Sequence, residues 1–188
     1  QPEPALQGPR GHPSHRPAVR GEVRVIPLGG IPDVEEGDDL GALLADAAAR
    51  AGGFEAGDVL VVAQKVVSKA EGRVVDLAGV DPSSRARELA GDDDPRRLEI
   101  VLRESKEIIR SRPPLVIAET RHGFVCASAG VDASNAKGPD TLVLLPLDPD
   151  ASARVIRDRL RDLTGIGVGV VVSDSFGRAW RRGTTDVA

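Results

Sequence analysis

The sequence predicts a mixed α/β fold, and three observations predict it. Short β-branched runs, Asp58 to Ala63 and Val168 to Val172, have the composition of strands buried on both faces. Stretches with helical spacing of apolar residues lie between such runs, as at Leu98, Val101, Leu102, Ile108 and Ile109. Strand-like runs also flank a short turn at Arg121-His122-Gly123, a hairpin that a purely parallel sheet would not contain.

Taken in order, residues 1–21 hold five prolines and two histidines with few large apolar side chains. Such a segment cannot bury enough surface to order itself and reads as a flexible extension, with His12 and His15 solvated and not metal ligands. The folded domain is expected over 22–188. Glu22 to Pro27 alternates like a strand, and Leu28-Gly29-Gly30-Ile31-Pro32 is a turn whose glycines let backbone N–H groups face outward. Asp38 to Ala51 predicts a helix, stopped by Gly52-Gly53. The strand Asp58–Ala63 then runs into a polar loop, Gln64 to Arg73, followed by a strand from Val74 to Leu77. A helix opens at Pro82-Ser83-Ser84 with a serine N-cap. A second helix is expected from Arg96 to Ser111 after the solvated turn Asp92-Asp93-Asp94, and Pro113-Pro114 stops it. Strands follow at Leu115–Glu119, Phe124–Ser128 and Thr141–Leu145, with a polar loop at Gly130–Asn135. A helix from Ser152 to Leu163 ends at Thr164-Gly165.

Composition narrows the function classes. Aromatics make up 2 % and the net charge is -4, which argues against a nucleic-acid groove with its basic stripe and stacking rings. The single cysteine, Cys126, cannot form an internal disulfide and reads as a small buried hydrophobe in a reducing, cytoplasmic protein. No apolar run reaches the length of a membrane span. The start at Gln1 and the stop at Asp186-Val187-Ala188 read as a fragment.

The chemistry gathers in Gly167–Gly183, GVGVVVSDSFGRAWRRG. An acid, Asp174, and a hydroxyl, Ser175, follow a buried strand and precede Arg178, Arg181 and Arg182. Carboxylate and hydroxyl oxygens suit Mg²⁺ or Mn²⁺, and guanidinium groups suit phosphate. The plain alternative is a capped turn beside a solvated basic face. Three further polar loops, at 29–32, 64–73 and 130–135, would add backbone donors, Lys65, Lys69, Asp132 and Asn135. That inventory matches phosphoryl transfer, although each loop alone also reads as an ordinary turn. No GxxxxGK[ST], CxxC or HExxH occurs, and the glycines at 165–169 precede a strand where a dinucleotide fingerprint would open a helix.

Five segments, QKVVSKAEGR (64–73), ESKEIIR (104–110), HGFVCASAGVDASN (122–135), LPLDPDASARVIRDRL (145–160) and VVSDSFGRAWRRG (171–183), resemble the coenzyme F420:L-glutamate ligase family. The likeness runs from about Val23 to the last residue and includes the amino-terminal domain of the two-domain actinobacterial form, whose second half is nitroreductase-like. The resemblance implies a mixed α/β (α+β) ligase fold of its own with mixed sheets, an intertwined homodimer, and family members that continue past residue 188. It implies a GTP-dependent ligase that phosphorylates the terminal carboxylate of the F420 precursor. L-Glutamate is then joined, first by an amide and next through the γ-carboxylate, with Mg²⁺ or Mn²⁺ and with K⁺ as a further candidate cation. Carried over by position, Gly29, Gly30, Ile31, Pro32, Gln64, Lys65, Lys69 and Asn135 would contact the nucleotide. Asp132 and Asp174 would hold one metal and Ser175 a second, and Asp174 and Lys69 would carry the catalysis. Ser128 stands in ASAG, where Asn is common in the family. A metal-dependent phosphohydrolase using the same acids, or a non-catalytic nucleotide-binding or dimerisation module, remain the alternatives.

Overall fold

The computed structural model describes residues 23–113, 115–133, 138, 140–177 and 184–187. The tail with His12 and His15, the amide of Asn135 and the arginines at 178, 181 and 182 lie outside the described residues. Among the described residues, helices and strands are interleaved as the α/β class requires.

Helix α1 (Leu40–Arg50) begins where the Asp39 carboxylate accepts from the Ala42 amide, and it buries Leu40, Leu44, Ala47 and Ala48 along one face. Strand β1 (Val59–Ala63) runs directly into α2 (Gln64–Ala70). The sequence reading of 64–73 as a polar loop is therefore corrected for its first seven residues. The reason is that polarity there conceals a helical face. Gln64 and Ser68, one turn apart, are buried and bond each other at 2.6 Å, while Val67 enters the core.

After β2 (Val74–Asp76) comes α3 (Ser84–Ala90), with the Ser83 hydroxyl accepting from the Ala86 amide as its cap. Helix α4 (Pro95–Glu104) is capped by Asp94 and stops seven residues short of the expected end at Ser111. Residues Ser105–Arg112 instead form β3, antiparallel to β4 (Leu115–Thr120). Ile108-Ile109 fits either period locally, and pairing with β4 decided between them. Strands β5 (Val125–Ala127) and β6 (Thr141–Val143) precede α5 (Pro149–Thr164), which starts at the Asp148 cap and ends at Gly165 with φ +73°. Strands β7 (Gly169–Gly177) and β8 (Thr184–Val187) follow.

Two expectations about strands are corrected. Residues 23–27 form no strand, and Val23 and Val25 are 88 % and 90 % exposed, because alternation without a pairing edge gives nothing to hydrogen-bond to. Strand β1 is buried on one face only: Leu60 and Val62 point inward while Val59 and Val61 are each 62 % exposed. In the β7 run Val168 is buried and Val170 to Val172 are half-buried.

Among the described residues three sheets form, in the orders β1-β7-β8, β2-β6 and β3-β4-β5. The β1–β7 pair is parallel and the remaining pairs are antiparallel. The largest core joins α1, α2 and α5 to the inner face of β1 through Leu44, Leu60, Val62, Val67, Ile156 and Leu160. A second core packs α3 and α4 on β4, and a third lies around Leu77, Ile100 and Leu142. No helix among the described residues is long and apolar enough to cross a membrane.

Candidate functional site

The parallel register of β1 and β7 builds the site. Ala63 is paired with Ser173, so Gln64 and Lys65 leave β1 at its carboxyl end beside Asp174, which is not in a loop after the strand but within β7, where it pairs with Val187 of β8. Crevices at such strand ends are where α/β sheets hold ligands. Asp132 comes from a different element. Its backbone forms a two-way bridge with Val143, the amides donating at 2.9 Å and 2.8 Å, and Val143 pairs with Val74 of β2. The approach to Asp132 is unusual. Ser128, Ala129 and Gly130 have φ of +51°, +52° and +73°, three successive left-handed residues. A Cβ on Gly130 would sit 2.7 Å from a Leu145 methyl, so the chain passes there only as glycine.

The side chains converge. Lys65 Nζ contacts Asp132 Oδ2 at 2.6 Å, with both groups partly exposed. Asp174 is close enough to feel both. Burial pushes its carboxyl above the ordinary value, the Ser175 amide pulls it back, the Asp132 charge pushes it up and Lys65 pulls it down. Lys65 thus stands in direct contact with Asp132 and close enough to Asp174 for its charge to act there. The donor set of Asp132 and Asp174 fits one divalent cation, since Mg²⁺ is usually held by one or two carboxylates, with water and phosphate oxygens completing the shell. Among the described residues no group of three His, Cys, Asp or Glu forms a ready-made cage. Ser175 is exposed, beside Asp174.

Gln64 and Asp174 line one cavity of 540 Å³, together with His122, Phe124 and the Leu145–Asp150 segment. Gln64 Nε2 donates to Leu144 O at 3.0 Å, which ties α2 to that segment. Lys69 lies one helical turn beyond Lys65 and faces a different cavity of 300 Å³ with Glu35, Glu36 and Gly72. The Gly29–Pro32 turn is held by Arg50, whose Nη2 donates to Gly29 O at 3.3 Å and Gly30 O at 3.2 Å. The structure therefore brings Lys65, Asp132 and Asp174 together, places Gln64 on the Asp174 cavity, and puts Lys69 against the segment that follows Pro32.

Two residues escaped the sequence reading. The sequence places His122 in a hairpin turn and at the head of the family-like segment 122–135, with no role in the site. Its Nε2 lies 2.8 Å from Pro146 O and its ring stacks on Phe124 with centroids 6.3 Å apart, so it forms a wall of the larger cavity. Arg50 gave no signal beyond a cation at a helix end. Cys126 is fully buried, and burial with the nearby Asp174 charge pushes its thiol up to about 11, so it packs as a small hydrophobe and is no nucleophile.

The family profile of F420-0:gamma-glutamyl ligase matches residues 30–188. The chain belongs to that family. It is 48 % identical over 157 residues to the coenzyme F420:L-glutamate ligase of Methanopyrus kandleri, covering 82 % of this chain and 60 % of that protein. The protein of the same name from Archaeoglobus fulgidus is 44 % identical over 168 residues, covering 88 % of this chain and 65 % of that protein. For Methanothermobacter thermautotrophicus the identity is 43 % over 171 residues, with 88 % and 67 % covered. The chain thus spans less than two thirds of the length of the first two of these ligase relatives.

Proposed function

We propose that this chain forms the nucleotide- and metal-binding part of a GTP-dependent ligase that joins L-glutamate to the coenzyme F420 precursor, acting as a homodimer in the cytoplasm. Family membership supports the ligase class. The observation that carries the chemistry is the Lys65–Asp132 pair beside Asp174, where β1 ends against β7.

In this reading a substrate carboxylate oxygen attacks the γ-phosphorus of GTP and GDP leaves, giving an acyl phosphate. The glutamate amine, having lost a proton, then attacks the acyl carbon, an amide forms and phosphate departs. Mg²⁺ or Mn²⁺ on Asp132 and Asp174, with Ser175 toward a second ion and K⁺ as a further candidate, would supply charge neutralisation at the transferring phosphoryl group. Lys65 and Lys69 bind phosphate oxygens as point charges, the amides at Gly29–Ile31 bind as neutral donors, and Gln64 and Asn135 complete the nucleotide contacts. Lys69 is the residue proposed to follow the moving charge, and Lys69→Ala is expected to raise the GTP concentration needed for half-maximal rate.

Calorimetric titration with GTP, with and without Mn²⁺ and with ATP as control, tests the binding half. Mass spectrometry of the deazaflavin product tests the rest. Metal-dependent binding that prefers GTP, with a glutamyl mass added only when GTP is present, is the expected result. Phosphate release that ignores glutamate would replace the ligase by a phosphohydrolase.

A further inference from the structure

We infer that Arg50 is a positioning residue that turns the Gly29–Gly30 backbone so that two successive amides face an anionic ligand. The inference rests on the reading of Gly29–Pro32 as part of the nucleotide site and deepens it.

In a trans peptide the carbonyl and the following N–H point in opposite directions. Arg50 Nη2 donates to Gly29 O at 3.3 Å and to Gly30 O at 3.2 Å, so both carbonyls are directed at the guanidinium. The Gly30 and Ile31 amides, which belong to those same two peptides, are therefore directed away from it. Among the described residues neither amide donates a hydrogen bond, while Gly29 and Gly30 are exposed. Gly30 has φ +75°, and consecutive amides turned to one side by a left-handed residue form a concavity that suits phosphate or carboxylate oxygens.

The turn is fixed from three sides. Leu28 and Ile31, flanking the glycines, pack against the largest core, and Arg50 closes the carbonyl side. A Cβ on Gly30 would lie 3.3 Å from Arg50 Nη2, so the approach leaves little room for a side chain. Arg50 also stands in the last turn of α1, whose Leu40 and Leu44 belong to the same core, so the clamp is built on a rigid element. The guanidinium adds positive charge behind the amides without touching the ligand. A lysine at this position would keep that charge but lose the planar fork.

The test compares wild type, Arg50→Lys and Arg50→Gln by three measurements. These are GTP titration in the presence of Mn²⁺, Mn²⁺ titration alone, and thermal unfolding. Wild type is expected to bind GTP, Arg50→Lys to bind it several-fold more weakly, and Arg50→Gln about tenfold more weakly. Mn²⁺ affinity and melting temperature should stay unchanged, because Asp132 and Asp174 are held by other elements. In ¹⁵N–¹H spectra the Gly30 and Ile31 amides should move on GTP addition in wild type and move less in Arg50→Gln. Equal GTP affinity in all three proteins would overturn the inference while leaving the nucleotide reading intact. A parallel loss of Mn²⁺ binding and thermal stability would reduce Arg50 to a structural residue and also overturn it. Wild type that binds no GTP would remove the nucleotide reading itself, and the inference with it.

Discussion

At Asp174, burial and the charge of Asp132 favour the protonated acid, and Lys65 and the Ser175 amide oppose them without cancelling the effect. The native protein therefore binds this proton more tightly than the unfolded chain does. Its stabilising contribution is present below the ordinary aspartate value of 3.8 and is lost as pH rises through the raised native value. Asp174→Asn should accordingly melt at or above wild type at pH 7 in metal-free buffer, with the advantage gone below pH 3.8. The same variant should lose turnover by roughly 10²-fold or more, since the charge proposed to hold the metal is removed without loss of shape. A variant that turned over normally at limiting metal would end the assignment. Ser128 offers a separate test at this scale. Its φ of +51° is a conformation that Asn tolerates better than Ser, so Ser128→Asn is expected to raise stability by about 0.5 kcal/mol, read by urea unfolding.

Among the elements, α1 and α5 pack on each other around the start of α1. The Asp39 carboxylate accepts from the Ala42 amide at 3.0 Å and pairs with Arg159 of α5 at 2.8 Å. The hydrogen bond from the Ala42 amide, more than the exposed ion pair, holds this carboxyl below its usual value. A lowered native value gives stability that is present above 3.8 and disappears as pH falls through the native value. Asp39→Ala should cost about 1 kcal/mol near neutrality, mostly as a lost helix cap, and almost nothing at acidic pH. Denaturant unfolding at two pH values measures both arms. A constant cost across pH would mean that helix propensity or packing, not the charge, accounts for it.

For the whole molecule, α1, α2 and α5 cover one face of β1, while Val59 and Val61 leave the other face open in a single chain. The proposed homodimer provides a partner surface of the same composition. Light scattering should then return twice the 19.7 kDa of the chain at micromolar concentration. A monomer mass under those conditions would remove the dimer from the reading.

Much of the local structure was legible in the sequence because local chemistry dictates it. Ser83 caps α3, Gly165 ends α5, and Asp58–Ala63 and Val168–Val172 mark paired strands, as propensity and turn residues require. The acids and lysines of the site were legible as residue types suited to metal and phosphate. Their meeting was not, because Lys65 comes beside Asp174 through the parallel register of β1 with β7, while Asp132 is set in place separately by its bridge to Val143. Arg50 shows the same limit, since its contact with Gly29 and Gly30 spans twenty residues and leaves no local pattern. Residues 105–112 show it for an element: β-branched residues satisfy either period, and the strand β4 that settles the choice lies farther along the chain. Sequence alone determined which chemistry was available and where most elements start and stop. Tertiary structure decided which distant groups share a site, because hydrogen-bond register and packing are relations between segments that neither segment carries by itself.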